Sequence, residues 1–372
     1  MKLTIERAAL LKSLAHVQSV VERRNTIPIL ANVLVEAGDG RLELTATDMD
    51  LTIVEQATAE VAAPGATTAP AHTLYDIVRK LPDGAQVQLA ASGEAGQLKL
   101  SSGRSTFTLA TLPKEDFPTS GAEDLPLSFA LAAGEIKNLI DRTRFAISTE
   151  ETRYYLNGIY LHGAEDGAPP LLRAVATDGH RLARFEMPLP EGAQGMPGVI
   201  VPRKTVGELR KLIEESDQGV QVSLSDTKVR FAFDSTELTS KLIDGTFPDY
   251  ERVIPAGNDK IMGVDRRTFS AAVDRVSTIS TEKSRAVKLS LGDGSLTLSA
   301  TSPESGSAIE EIEVAYGGEP LEIGFNSRYL LDIAQQIEGD KAEFALSDAA
   351  SPTIVRDVED ASALYVLMPM RV

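Results

Sequence analysis

The sequence predicts an α+β protein made of three tandem copies of one domain, each with two helices packed on antiparallel sheets. Three observations lead there. First, residues 3–48, 127–178 and 262–302 each read as an opening strand, a helix and a strand ending in a small-residue/threonine signature. The signatures are Leu44-Thr-Ala-Thr-Asp48, Ala174-Val-Ala-Thr-Asp178 and Leu296-Thr-Leu-Ser-Ala-Thr-Ser302, which place Thr47, Thr177 and Thr301 130 and 124 residues apart. Second, each signature is followed by another helix, a strand and a Pro-containing stretch: Leu112-Pro-Lys-Glu-Asp-Phe-Pro118, Leu242-Ile-Asp-Gly-Thr-Phe-Pro-Asp249 and Val366-Leu-Met-Pro-Met370. Third, the period far exceeds the roughly 20–50 residues of a solenoid unit and matches the about 100–150 residues of a domain with its own core. The predicted boundaries are 1–122, 123–254 and 255–372, with Pro/Gly/acid-rich links at 118–126 and 250–259.

The elements follow in order. Leu10, Leu11, Leu14, Val17 and Val21 recur at helical spacing and predict a helix over 6–24. A second helix is expected at 74–81, and Ile136, Leu139 and Ile140 mark a third over 134–144. The fourth falls at 203–215, the fifth over 265–285 through Phe269, Val273 and Val276, and the sixth at 327–337. Alternating runs such as 41–47, 87–90, 97–101, 220–224, 229–233 and 287–291 predict strands. Asp39-Gly40, Asp83-Gly84, Asp226-Thr227 and Asp293-Gly294 supply turns between them. The count is two helices and about eight strands per copy, a layered α+β arrangement.

With 42% hydrophobic and 24% charged residues the composition is that of an ordinary globular protein. No run of about 18 apolar residues predicts a membrane-spanning helix, and residues 1–7 alternate like a strand rather than forming a signal peptide. Cysteine is absent, which rules out disulfides and thiolate-bound metals. The expected location is the cytoplasm, with no membrane partner.

A net charge of −17 argues against nucleic acid until its distribution is considered. The six helical segments hold 19 basic and 12 acidic residues of the chain's 37 and 54, so they balance at +7 and the remainder at −24. Basic helices on an otherwise acidic protein suit a surface that faces a polyanion while the rest repels it. The alternative is an ordinary set of solvated helix faces.

Enzyme motifs are scarce. The four histidines are His16, His72, His162 and His180, and no phosphate loop, dinucleotide fingerprint or His-Glu-x-x-His pair occurs. Asp48 and Asp50 could seed a Mg²⁺ site, but strand-end turns make the same pattern. His180 with Asp178 could be an acid–base pair of a hydrolase, or simply a tight turn. No carboxylate cluster for two-metal chemistry is evident. The expectation is a non-enzyme with no cofactor and no metal; a scaffold or adhesion protein without a DNA role is the other rival.

The motifs Arg153-Tyr-Tyr-Leu-Asn-Gly158, Ala176-Thr-Asp-Gly-His-Arg-Leu182, Val201-Pro-Arg-Lys204, residues 240–250 and Val366-Leu-Met-Pro-Met-Arg371 appear in order. Together they closely resemble the bacterial sliding-clamp family, the β subunit of DNA polymerase III, over the whole chain. The resemblance implies clamp domains forming half of a six-domain ring, closed as a head-to-tail homodimer around double-stranded DNA without sequence preference. It also implies docking of the replicative polymerase, the clamp loader and other proteins carrying clamp-binding peptides. By resemblance and position, Arg24, Arg79, Lys80, Arg153, Tyr154, Tyr155, Arg203 and Lys204 would face DNA, with Tyr154 and Tyr155 able to stack on an unpaired base. Glu150 stands where relatives often carry Gln. The implied peptide pocket comprises Leu156, Thr177, Gly179, His180, Arg181, Leu182, Pro248, Arg252, Val253, Val366, Leu367, Met368, Pro369, Met370 and Arg371. Its Met, Leu and Pro residues suit apolar peptide anchors. Arg104, Phe107, Ile279, Glu304 and Glu310 would meet across the dimer contact.

Overall fold

The computed structural model describes residues 1–24, 26–92, 96–118, 124–164, 167–280 and 285–371. The predicted boundary near 122 and most of the 118–126 link lie outside the described residues. The chain divides into two compact units: Met1–Lys137, Pro190–Ala193 and Lys204–Leu242 form one, and Asn138–Leu189, Gln194–Arg203 and Ile243–Val372 the other.

The first unit holds a five-stranded antiparallel sheet, in the order Glu60–Ala63, Lys2–Glu6, Gln86–Ser92, Gln97–Ser102, Ser105–Ala110. It also holds an eight-stranded one, in the order Leu127–Ala132, Gly219–Leu224, Lys228–Phe233, Thr236–Lys241, Leu51–Thr58, Arg41–Thr47, Asn32–Gly38, Gly65–Pro70. The second unit repeats the plan. Its eight strands run Val199–Pro202, Gly158–Ala164, Leu171–Thr177, Arg181–Pro188, Ala363–Leu367, Thr353–Asp357, Lys341–Leu346, Lys260–Asp265, and its four run Gly306–Glu313, Ser295–Ser302, Ala286–Gly292, Leu321–Asn326. In each eight-stranded sheet, half the strands come from the middle third of the sequence and half from a neighbouring third. The junction pairs are Thr236–Lys241 with Leu51–Thr58 (the first seam) and Arg181–Pro188 with Ala363–Leu367 (the second seam).

Six α-helices appear among the described residues, near the six predicted positions: α1 Arg7–Val17, α2 Ala71–Lys80, α3 Ala133–Thr143, α4 Arg203–Leu212, α5 Arg266–Ser277 and α6 Ser327–Ala334. Their buried faces are the predicted ones, Leu10, Leu14 and Val17 in α1 and Phe269, Val273 and Val276 in α5. Asp265 caps α5 by accepting from the Thr268 amide at 2.7 Å, and Asn326 caps α6 at 3.0 Å. Helices α4 and α6 end three residues before their predicted ends, at Leu212 and Ala334, and α1 and α5 stop further short. Past Val17 the Ser19 hydroxyl donates to the His16 carbonyl at 2.7 Å, a local bond that competes with the helical ladder. The chain then turns through the buried Val20 and Val21. Helix α5 ends at Ser277, and residues 281–284 of its predicted span lie outside the described residues.

Candidate peptide pocket and DNA-facing residues

The central feature of the second unit is a tight turn at the start of strand Arg181–Pro188. The Thr177 hydroxyl donates to the Arg181 carbonyl at 2.7 Å and accepts from the Gly179 amide at 3.1 Å. Asp178 Oδ1 accepts from the amides of His180 (2.9 Å) and Arg181 (3.0 Å). Gly179 sits at φ +88, a conformation glycine adopts without strain. A Cβ there would come within 2.5 Å of Arg153 Nη1. Asp178 is therefore committed to holding the turn and the Arg181 guanidinium (3.1 Å), while the His180 ring stacks on Tyr329 at 6.4 Å. The two do not form an acid–base pair.

Beside this turn lies a cavity of about 400 Å³. Ten of the fifteen predicted pocket residues line it: Leu156, Thr177, Gly179, Arg181, Leu182, Pro248, Arg252, Val253, Val366 and Met368. Arg153, Tyr155 and Asp249 line it as well. Its floor is a buried cluster of Leu156, Val175, Leu182, Ile200, Phe247, Tyr250 and Val366. The other five predicted residues lie off the cavity wall. Leu367 alternates to the opposite face and is fully buried. His180 contributes its carbonyl, which accepts from the Met368 amide at 2.9 Å. The Met370 amide donates to the Gly324 carbonyl at 2.7 Å, Pro369 is half-buried and Arg371 is exposed.

The arginines of the wall are all paired. Arg153 binds Glu150 through two contacts of 2.8 and 2.7 Å, and that hydrogen bond holds the Glu150 carboxyl below its ordinary value. Arg252 meets Asp249 at 2.7 Å. Arg181, only 9% exposed, reaches Asp178, Asp332 at 2.5 Å and the Phe145 carbonyl at 2.6 Å, with its guanidinium 4.3 Å from the Tyr329 ring centroid. Behind the floor, His162 Nε2 and the Tyr250 hydroxyl are 2.9 Å apart. Burial pushes the His162 imidazole down and the Tyr250 phenol up, so both are neutral at pH 7. The result is an apolar slot with a polar, charge-balanced rim, suited to binding side chains rather than transforming them.

The predicted DNA-facing residues divide. Arg24, Lys80 and Arg203 are exposed, and Arg79, in the last turn of α2, pairs with Asp76 at 3.2 Å. Lys204, at the start of α4, is bound by Asp48 and lies 3.5 Å from Glu22. Its partial burial works against the charged form, but the two carboxylates outweigh that and raise its pKa. Asp50 is likewise taken by Lys241 at 2.9 Å, so the Asp48/Asp50 pair is spent on lysines. Tyr154 is 53% exposed, whereas Tyr155 and Arg153 turn onto the pocket. The cause is local: the 3₁₀ segment Glu151–Leu156 breaks at Arg153 (φ −111, ψ 51), which redirects its side chain toward Gly179. Of the predicted contact residues, Arg104 is an exposed turn residue, Phe107 and Ile279 are half-buried, Glu304 is exposed, and Glu310 is held by Arg275 at 2.5 Å.

A repeated two-helix domain whose sheets continue from copy to copy, with an apolar peptide-sized slot at one junction, defines a clamp rather than an enzyme. Family models of the DNA polymerase III beta subunit match as N-terminal domain over 1–121, central domain over 130–249 and C-terminal domain over 251–371. The beta sliding clamp of Caulobacter vibrioides is 59% identical over 372 residues, covering all of both chains. A crystal structure of the Caulobacter crescentus clamp matches with a TM-score of 0.98 at 59% identity, covering 100% of this chain and 99% of that one. A Bartonella birtlesii clamp bound to griselimycin matches with a TM-score of 0.97 at 54% identity, with full coverage of both. The chain belongs to the DNA polymerase III beta-subunit family, the beta sliding clamps.

Proposed function

We infer that this chain is the non-catalytic sliding clamp of a bacterial replicative polymerase, acting in the cytoplasm as a homodimeric ring around duplex DNA. In this reading the domains are 1–122, 123–254 and 255–372. The observation that carries it is an incomplete pattern of strand pairing. Thr236, Leu238 and Ser240 oppose Glu55, Ile53 and Leu51 at the first seam, and all six are buried. Among the described residues of one chain, the corresponding strands at the two ends of the pattern, Ser105–Ala110 and Gly306–Glu313, are free edges. Ser105, Glu310 and their neighbours are mostly exposed, and Ile309 is 77% exposed.

Free edges are pairing templates, and a head-to-tail contact between unlike edges can close a ring. Continuing the seam register sets Ser105 against Glu310 of a second copy, Phe107 against Ala308 and Leu109 against Gly306. Ser105 then stands where Thr236 does, and the Thr236 hydroxyl donates to Glu55, the counterpart of Glu310, at 2.5 Å. Arg24, Lys80, Arg203 and the other basic residues on and beside the helices supply diffuse attraction to phosphates, which holds DNA without reading bases and permits sliding. The 400 Å³ slot receives apolar anchors of peptides from the polymerase, the clamp loader and other partners. Griselimycin bound to the Bartonella birtlesii clamp fits a ligand-receptive surface of this kind.

The test combines mass with topology. Sedimentation should give twice 39.8 kDa, and the loaded protein should remain on circular DNA but run off after linearisation. A stable monomer, or equal retention on both DNAs, overturns the reading.

A further inference from the structure

The first seam repeats the pocket-forming turn of the second hydrogen bond for hydrogen bond. The Thr47 hydroxyl donates to the Leu51 carbonyl at 3.0 Å and accepts from the Met49 amide at 3.1 Å. Asp48 Oδ1 accepts from the amides of Asp50 (3.0 Å) and Leu51 (2.7 Å). The Lys241 amide donates to the Asp50 carbonyl at 2.8 Å, as the Met368 amide does to that of His180. Strand register makes the correspondence explicit: Met49 stands for Gly179, Thr52 for Leu182, Thr239 for Val366 and Lys241 for Met368.

Every one of those four exchanges opposes an apolar ligand. The floor pair Leu182–Val366, facing across the strands, becomes Thr52–Thr239. Met368 at the rim becomes Lys241, whose amino group is held by Asp50 at 2.9 Å. Gly179, whose bare backbone forms cavity wall, becomes Met49, with a side chain where the second seam seats the Arg153 guanidinium. Met49 keeps φ +81, a conformation that disfavours every residue with a Cβ. Strained backbone retained at a surface turn points to a role for the side chain.

We propose that the first seam is a closed copy of the peptide pocket, and that Met49, the Thr52–Thr239 pair and Lys241 confine docking to one site per chain. The proposal rests on the reading of the second-seam cavity as the docking site. Calorimetric titration of the full-length dimer with griselimycin tests it. The wild type should bind one molecule per chain. G179M should weaken binding about 100-fold, the loss typical of a blocked anchor site; its backbone conformation is one Met49 already holds. M49G/T52L/T239V/K241M should bind a second molecule, and adding G179M to that variant should leave one.

No binding to the wild type would overturn the docking-site reading and this proposal with it. Two molecules per wild-type chain, or one per chain of the folded quadruple variant, would overturn the proposal alone. Should the quadruple variant fail to fold, undiminished binding by G179M overturns it equally.

Discussion

The two seams join strands in the same register, yet they are fastened differently. Each opening helix places a basic residue at its tenth position: His16 in α1, Arg142 in α3 and Arg275 in α5. At the first seam His16 Nδ1 lies 2.5 Å from Glu55 Oε1, and Glu55 takes the Thr236 hydroxyl across the junction. Glu55 is only 3% exposed. At the second seam Arg142 donates to the Gln336 carbonyl and approaches Glu338, which stays largely in water, at 3.0 Å and the half-buried Asp360 at 3.6 Å. Arg275 and Glu310 form the same device at a free edge, bonded to each other at 2.5 and 3.0 Å. One position thus serves as a buried latch, a wetter latch and an unclosed latch.

The unclosed latch gives the largest predicted effect. In the proposed ring, F107D sets a carboxylate opposite Ala308 of a second copy and beside that copy's Glu310, where like charges oppose pairing. Sedimentation should then fall from the dimer to 39.8 kDa, with peptide binding unchanged because the pocket lies elsewhere. An intact dimer would mean that ring closure does not continue the seam pattern.

The two closed latches should differ in cost. H16A leaves a buried carboxyl with one donor and should destabilise by about 3–5 kcal/mol. R142A frees acids that water can reach and leaves one carbonyl short of a donor, about 1–3 kcal/mol. Denaturant midpoints of the two variants decide the order, and H16A/E55Q should recover most of the first loss. Equal costs would remove the distinction between the seams.

Much of this is open to reading in the chain. Helix faces such as Leu10/Leu14/Val17 declare themselves through local spacing, and so do turns such as Asp39-Gly40, where both residues have positive φ (49 and 74). The pocket's Leu182, Val366 and Met368 stand out because they sit in long ordered motifs. What stays hidden depends on pairing between distant strands. Nothing local in Thr236–Lys241 names Leu51–Thr58 as its partner, so the continuity of sheets through the middle third is invisible in sequence. His16 reads as one of four scattered histidines; only its recurrence as Arg142 and Arg275 at the same helix position signals a latch. Arg153 and Tyr155 reach the pocket through a backbone break that no periodicity marks.

The smallest effect separates the two turns most cleanly. Met49 and Gly179 occupy one conformation, at φ +81 and +88, within identical hydrogen bonds, so their substitutions should act with opposite sign. M49G removes a left-handed strain of about 1–2 kcal/mol and returns part of it through the unfolded-state freedom of glycine, for a net gain of about 1 kcal/mol. G179A adds the strain and pushes the Arg153 guanidinium aside, a loss of about 1 kcal/mol in stability because only the tip of a flexible side chain must move. Midpoints from paired denaturant titrations would measure both. Loss of stability in M49G would show that the Met49 side chain makes contacts worth more than its strain, turning the first seam from a closed copy of the pocket into a packing site in its own right.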